Sequence, residues 1–395
     1  MEGYKVRLAI LTNILAPYRI PLFERIGGFI EESDIILMAE REENRQWELQ
    51  RHTFKTHLLP GIHWKPPGHD VSFHFNWGTF ALLRRLGPDA VVSGGFTLAN
   101  LSAFIYCKLF GKPFIPWGEM SEVGDIRNAG LIRRTLRRIL IRWSEGAIGS
   151  TSEARGVFEH YGAKKDRILV SCMPIDVDFY HRLSEEFRGT EEWKEIRSRY
   201  SRPILLSVGQ LTDRKGYKEL FEIYEKILVH IPTASILIVG DGPQRADLEK
   251  LVLNRGWRNV HFTGFQQPAT LIKYLSVADL FIFHTLHDPF GAVVTEAMSA
   301  GLPVVSSIYG AVTTDFVQNG VSGYCIDPRN AEQSAEAILR ALRMTEAQKE
   351  IMVEKAYARA AMTTFDSEAE RMTRFVESLC QERVGIRESK VRKEQ

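Results

Sequence analysis

Two acidic residues flank a glycine in a segment whose residue types suit the binding of a phosphorylated nucleoside. Residues 284–301 read HTLHDPFGAVVTEAMSAG, with Asp288 and Glu296 eight positions apart. An apolar run precedes the segment and helix-forming residues follow Gly291, so we predict a strand, a loop and a helix. Unpaired amides at such a helix start favour an anion such as a phosphate, and Glu296 can accept hydrogen bonds from ribose hydroxyls. From the spacing alone, an ordinary helix start with an acidic first turn is an equal alternative.

A second loop carries two adjacent cations. The apolar residues 203–208 predict a strand, and the chain then reads GQLTDRKG, which places Arg214 and Lys215 in a turn before a predicted helix. Two positive charges in such a turn can neutralise a diphosphate. Two later predicted strands end in turns that read GDGP and GFQ.

Parallel sheets are the elements that would position these loops. Apolar runs alternate with helical stretches in both halves of the chain, which predicts α/β domains with ligand-binding loops at the carboxyl ends of the strands. In the first half that edge would carry Arg19, Gly94, Gly95 and Glu119. Arg19 would meet a phosphate or an acidic acceptor, or it would cap a loop carbonyl. Glu119 is a candidate acceptor-side carboxylate, and an ordinary surface glutamate is the alternative.

Composition narrows the class of protein. The 395 residues exceed the usual size of a single core, which predicts two domains. A hydrophobic fraction of 44%, a charged fraction of 25% and a net charge of +2 argue against disorder and nucleic-acid binding. Four scattered cysteines, no signal-peptide pattern and no apolar span of membrane length indicate a cytoplasmic protein with reduced thiols and no metal framework.

Three further segments have distinctive residue patterns. Residues 41–77 hold five irregularly spaced histidines, which do not match a metal site; an exposed loop that recognises an acceptor and a satellite core both remain open. Residues 131–143 predict an amphipathic helix, which would either contact an anionic membrane peripherally or pack with a solvated basic face. Its basic face would consist of Arg133, Arg134, Arg137, Arg138 and Arg142. The D-x-D string at Asp176 and Asp178 lies far from any predicted phosphate loop, so we do not interpret it as a metal site.

The ordered motifs of the second half resemble the donor-binding domain of retaining glycosyltransferase family 4, of the bacterial and archaeal glycan-biosynthesis type. They read GQLTDRKG, GDGP, FTGF, DPFGAVVTEAMSAG and GLPVV over about residues 200–330. The resemblance implies an α/β GT-B fold with two Rossmann-like domains facing a central cleft. We expect an acceptor-binding domain at 1–182, a donor-binding domain at 183–362, a helix at 363–382 that returns to the first domain, and a flexible charged tail at 383–395.

The resemblance also implies roles for individual residues. Arg214 and Lys215 would hold the diphosphate and stabilise it as a leaving group, and Asp288 would lie near the hydroxyls of the donor sugar. Glu296 would bind the ribose, and Phe265 would lie beside the base. The implied catalytic set is Arg214, Lys215, Asp288 and Glu296. The implied donor-binding set is Gly209, Gln210, Gly240, Phe265, Phe290, Gly291, Ala292, Val293, Val294 and Glu296.

The activity implied is a retaining hexosyl transfer from a UDP-, GDP- or ADP-linked sugar to a glycan or lipid-linked glycan, without a metal or another cofactor. Three positions depart from the family pattern: Gln210 replaces an arginine, Asp288 replaces a glutamate, and Glu119 stands where many members have a histidine. An inactive nucleotide-sugar-binding protein and a nucleotide-sugar epimerase of related fold are the alternatives.

Overall fold

Two parallel sheets organise the chain, as the alternation of apolar runs and helical stretches predicts. The computed structural model describes residues 5–42, 51–64 and 73–394. The chain divides into two units: the first combines Met1–Pro174 with Phe365–Gln395, and the second spans Ile175–Thr364. The division lies somewhat before the boundary predicted after residue 182, because the helix Val177–Phe187 packs on helices of the second unit.

The first unit contains a seven-stranded parallel sheet in the order β3-β2-β1-β6-β7-β8-β9 and a separate β4-β5 hairpin. Its strands are β1 (Arg7–Thr12), β2 (Glu32–Leu37), β3 (Lys55–Leu58), β4 (Gly61–Trp64), β5 (Phe73–Asn76), β6 (Ala90–Gly94), β7 (Phe114–Gly118), β8 (Ala147–Gly149) and β9 (Ile168–Val170). Its first five helices are α1 (Ile20–Phe29), α2 (Thr79–Leu86), α3 (Leu98–Phe110), α4 (Leu131–Arg142) and α5 (Ser152–His160).

The second unit contains a six-stranded parallel sheet in the order β12-β11-β10-β13-β14-β15. Its strands are β10 (Ile204–Val208), β11 (Ser235–Val239), β12 (Val260–Gly264), β13 (Leu280–Phe283), β14 (Val304–Ser307) and β15 (Tyr324–Ile326). Its helices are α6 (Val177–Phe187), α7 (Glu191–Ser198), α8 (Tyr217–His230), α9 (Arg245–Asn254), α10 (Pro268–Val277), α11 (Ala292–Ser299), α12 (Ala311–Phe316), α13 (Ala331–Leu342) and α14 (Glu346–Ala360).

Both sheets reverse their strand order at one point, as doubly wound α/β sheets do. The switch lies between β1 and β6 in the first unit and between β10 and β13 in the second. Strands such as β11 and β13 are buried along their whole length, which explains why their sequences are continuous apolar runs. Ligands of such sheets bind outside the carboxyl ends of the strands at the switch point, which in the second unit is where the loops after β10 and β13 lie.

The last helix, α15 (Phe365–Glu394), returns the chain to the first unit. Its apolar face, which includes Met372, Val376 and Leu379, packs into the same core as β1 and α1. Glu368 is 1% exposed, and it accepts a hydrogen bond from Ser171 Oγ at 2.6 Å. The helix extends through Glu394, so most of the segment predicted as a flexible tail from residue 383 is helical instead.

Helix α4 packs differently from the prediction. Arg137, which was assigned to the solvated basic face, is buried; it forms an ion pair with Asp125 and donates to the Asp125 carbonyl at 3.0 Å. The apolar side that the helical spacing predicts includes Leu136 and Leu140, which do pack in the core. Ile132 and Trp143 belong to the same predicted side but are exposed, so only part of that side faces the core. Among the described residues, no helix is both long and apolar enough to cross a membrane.

The histidine-rich region forms strands β3 to β5, in keeping with the prediction of strands and loops there. His63 and His74 pair across the hairpin with their Nδ1 atoms 3.0 Å apart, whereas His69 lies outside the described residues. Trp64 and Phe73 are largely exposed, which agrees with an exposed aromatic segment rather than a satellite core.

Candidate active site

The loop after β10 brings both predicted cations to the switch point of the second sheet. Residues 213–215 form one helical turn, and Gly216 then begins α8 with a left-handed backbone (φ +72°). A Cβ atom at Gly216 would lie 2.6 Å from the carbonyl oxygen of His284, so only glycine lets the two loops approach this closely.

The loop after β13 is bonded directly to this turn. The carbonyl oxygen of Arg214 accepts hydrogen bonds from the Leu286 amide at 2.9 Å and from the Thr285 hydroxyl at 3.1 Å. Buried His284 places one ring nitrogen 3.0 Å from the Gly216 carbonyl and the other 2.7 Å from Ser207 Oγ.

Burial lowers the pKa of His284 to about 3, so the imidazole is neutral at physiological pH. Its Nδ1–H therefore donates to the Gly216 carbonyl, and its Nε2 accepts from the Ser207 hydroxyl. His284 is a fixed support of the cationic loop rather than a charge carrier.

Asp288 lies between the two cations. Its Oδ2 forms an ion pair with Lys215 Nζ and lies 3.7 Å from the Arg214 guanidinium. Burial alone would raise the pKa of Asp288, but the charges of Lys215 and Arg214 outweigh burial and hold that pKa below its usual range. The other oxygen, Oδ1, accepts from the Phe290 amide at 3.1 Å. Asp288 is thus ionised and engaged by the protein itself, which the sequence did not indicate.

The start of α11 offers fewer amides than predicted. Gly291 precedes the helix with φ +93°, and a Cβ atom there would lie 2.7 Å from the Phe283 ring. The Val294 amide donates to the Gly291 carbonyl at 3.0 Å, so it is not available to a phosphate. The Ala292 and Val293 amides have no partner within the parts of the chain that the structure describes. Unpaired amides at a helix start can bind an anion, and this role of the two amides stays a prediction.

Glu296 lies on the second turn of α11 and is partly buried. Burial raises its pKa to about 7, and the nearby hydroxyl of Tyr180 opposes that increase. Tyr180 comes from α6, which packs against α11, and it is buried. The sequence analysis did not predict this contact, because α6 lies across the predicted boundary between the two domains.

The remaining donor-side residues follow the same edge of the sheet. The Gly240 amide donates to the Gly264 carbonyl at 2.8 Å, and a Cβ atom at Gly240 would lie 2.0 Å from the Gly209 carbonyl oxygen. Phe265, one residue beyond β12, is 36% exposed, and Gln210 is partly exposed. The structure therefore brings the predicted positions together from the end of β12 to the start of α11; their roles toward a donor stay predictions.

The predicted acceptor-side residues also meet, at the switch point of the first sheet. Arg19 donates to Glu119 Oε1 at 3.0 Å and to Thr12 Oγ1 at 2.8 Å, and its guanidinium lies 4.7 Å above the Trp117 ring. Glu119 retains 24% side-chain exposure. Arg19 is thus held by a carboxylate, a hydroxyl and an aromatic face rather than by a loop carbonyl.

The glycines beside this ion pair follow the next strand of the sheet. Gly94 ends β6, and a Cβ atom there would lie 3.1 Å from the Leu11 carbonyl oxygen. Gly95 has φ +92° and is exposed. Both positions lie at the carboxyl edge, where the sequence placed them.

The D-x-D string has a structural explanation. Asp176 caps α6 by accepting from the Phe179 amide at 2.9 Å, and Asp178 accepts from the Tyr357 hydroxyl at 3.3 Å. Across residues 5–42, 51–64 and 73–394, no three metal-ligating side chains are grouped as a metal site.

Comparisons with known proteins point to one family. Residues 190–359 match the model of the family described as "Glycosyl transferases group 1". Over 173 residues the chain is 30% identical to alpha-D-kanosaminyltransferase from Streptomyces kanamyceticus, covering 41% of this chain and 45% of that protein. It is 31% identical over 137 residues to the lipopolysaccharide core biosynthesis glycosyltransferase LpsE of Rhizobium meliloti, covering 34% and 38%. The matched segments span less than half of these relatives.

Solved structures resemble nearly the whole chain. HepE from Anabaena, crystallised with UDP, superposes with a TM-score of 0.75 at 15% identity, covering 94% of this chain and all of that one. Sucrose-phosphate synthase from Thermosynechococcus elongatus gives a TM-score of 0.71 at 17% identity, covering 95% and 99%. At these identities the likeness shows the fold.

Proposed function

Because residues 190–359 match the family model of the group 1 glycosyl transferases and the chain has the GT-B fold, we propose that it transfers a sugar from a nucleoside-diphosphate sugar to a glycan or lipid-linked glycan. The observation that carries the proposal is the convergence of Lys215, Arg214 and the Ala292 and Val293 amides at one switch point. Two cations and a helix start suit a diphosphate better than any neutral ligand. HepE was crystallised with UDP and with UDP-glucose, which supports a uridine nucleotide as the first donor to test.

The proposed reaction retains the configuration at the anomeric carbon. The bond from that carbon to the diphosphate oxygen breaks, and the acceptor hydroxyl forms its bond on the same face of the sugar. The acceptor proton passes to the departing phosphate oxygen. Lys215, Arg214 and the helix start stabilise the charge that develops on the leaving group, so the proposed reaction needs no metal.

Glu296 is the proposed ribose ligand. Its ionised carboxylate would accept hydrogen bonds from the two ribose hydroxyls, while the Tyr180 hydroxyl holds it in place. Because these groups are already fixed in the protein, binding the ribose and the diphosphate of the donor costs little conformational entropy.

The test is donor turnover by purified variants. Lys215→Ala should lower the release of nucleoside diphosphate about 100-fold or more, because one charge-stabilising donor is lost at the leaving group. Lys218→Ala is the matched control, since Lys218 lies one turn along on α8 with a side chain that is 66% exposed. Glu296→Ala should weaken donor binding by about 10-fold or more.

The outcomes separate the candidate functions. Release of nucleoside diphosphate that depends on Lys215 supports the transferase. Tight binding of UDP with no release of nucleoside diphosphate from a donor would favour an inactive binding protein. Conversion of the donor sugar with no such release would favour an epimerase. Unchanged turnover in both Lys215→Ala and Glu296→Ala would refute the assignment of the site.

A further inference from the structure

Helix α4 exposes a strip of large apolar side chains. Ile132 is 87% exposed, Trp143 is 62% exposed and Ile139 is 42% exposed. Each lies three, four or seven residues from Leu136, so all of them lie along one side of the helix. The helix is anchored to the unit by Leu140, Ile141 and Arg137 instead. The strip therefore contributes nothing to the core.

The neighbouring helix α3 extends this apolar surface. Leu98, Ile105 and Leu109 recur at helical spacing and are 49%, 44% and 70% exposed. The two helices contact each other, and Leu136 and Leu140 pack in the same core cluster as α3. The exposed strip of α4 is thus on the side that borders α3. We call six of the exposed apolar side chains on or directly after these two helices the α3–α4 surface: Leu98, Ile105, Leu109, Ile132, Ile139 and Trp143.

The charged side chains of the two helices themselves all have one sign. Neither helix contains an aspartate or a glutamate, and α4 also carries Arg133, Arg138 and Arg142 as exposed residues. Within the described part of the chain, no carboxylate pairs with these three arginines. The chain as a whole has a net charge of only +2, so the cationic edge is a local feature.

We propose that the α3–α4 surface binds peripherally to a bilayer that contains anionic phospholipids. Exposed apolar side chains edged by arginines, with a tryptophan at their border, match the boundary between acyl chains and anionic headgroups. A second copy of the chain fits less well, because a twofold contact would set one arginine edge against another without acidic partners. The proposal goes beyond sugar transfer, and its test does not depend on turnover.

The experiment is co-sedimentation of the full chain with vesicles of phosphatidylcholine alone or mixed with phosphatidylglycerol. Binding should require phosphatidylglycerol and should weaken as salt is raised. The apolar variant combines Ile132→Ser, Ile139→Ser and Trp143→Ser. The basic variant combines Arg133→Gln, Arg138→Gln and Arg142→Gln. The basic variant should lower the partition coefficient on the order of 100-fold, since each arginine near the membrane surface contributes about a fivefold factor.

The matched controls make the same kinds of substitution, exposed apolar residues to serine and arginines to glutamine, in the second unit. The apolar control combines Val229→Ser and Leu253→Ser, which alter side chains that are 75% and 78% exposed. The basic control combines Arg199→Gln, Arg255→Gln and Arg340→Gln. Thermal melting of every variant checks that it is folded.

The proposal is supported if both control variants bind the vesicles as well as the wild type does and both α3–α4 variants bind less. Equal recovery with neutral and anionic vesicles would overturn it, as would equal binding by the α3–α4 variants and their controls. Dimerisation in solution that is lost in the apolar variant, with no vesicle binding, would assign the surface to a second copy instead.

Discussion

Replacing Glu296 by glutamine should stabilise the protein more and more, relative to wild type, as the pH rises from about 5 to about 8. The side chain keeps its size and a hydrogen-bonding group for Tyr180, but it can no longer ionise. Burial raises the pKa of Glu296 to about 7, so the folded protein holds that proton more tightly than the unfolded chain does.

The sign and the size of the effect follow from that difference. Below the unfolded pKa of about 4.3, the carboxyl is protonated in both the folded and the unfolded state, so its ionisation does not affect the free energy of unfolding. As the pH rises, the unfolded chain ionises first, and the stability that Glu296 contributes is lost progressively until the pH exceeds the folded pKa of about 7. At about 1.4 kcal/mol per pH unit, the full loss over this difference of about 2.7 pH units is about 4 kcal/mol. Glutamine is free of this loss.

The assay is equilibrium urea unfolding of both proteins at several pH values. The quantity to compare is the change in the free-energy difference with pH, because the constant cost of packing an amide cancels from it. Trp193 and Trp257 lie in the second unit and can report its unfolding. The reasoning is refuted if the difference between variant and wild type stays constant within about 0.5 kcal/mol across this range. The variant should nevertheless bind UDP more weakly, because an amide is a poorer acceptor for ribose hydroxyls than a carboxylate.

Two further predictions concern neighbours of the site. Tyr180→Phe removes the hydroxyl that opposes the effect of burial, so the pKa of Glu296 should rise further and the pH at which UDP affinity falls to half should move upward. An unchanged midpoint by titration calorimetry would contradict this role of Tyr180. Gly240→Ala would place a Cβ atom 2.0 Å from the Gly209 carbonyl oxygen and should destabilise the protein by about 3 kcal/mol, whereas Gly256→Ala, at φ +68° in open space, should cost about 1 kcal/mol by thermal melting.

The sequence predicted best those features that local rules determine. The strand-loop-helix order around Gly291 and the turn before Gly216 follow from apolar runs that end at glycines, and the structure requires glycine at both positions. Because parallel strands share one carboxyl edge, the sequence also indicated that Lys215 and Asp288 would lie at the same end of the sheet.

Such local rules do not predict contacts between elements that are far apart in the sequence. Tyr180 reaches Glu296 because α6 packs on α11, and no periodic pattern announces that pairing. The amphipathic pattern of α4 shows which residues share a side, but not which part of that side is covered. Arg137 is buried because the turn Glu122–Arg127 presents the carboxylate and the carbonyl of Asp125 to it.

Asp288 shows how a departure from a family pattern can be explained by local geometry. An aspartate can accept a hydrogen bond from the amide two residues ahead, and Asp288 Oδ1 does so with Phe290. Its second oxygen is then fixed beside Lys215. A glutamate is one methylene longer and does not form this turn as readily. We therefore infer that Asp288 positions Lys215 and the backbone before Gly291, and that the aspartate is suited to that task because it is short.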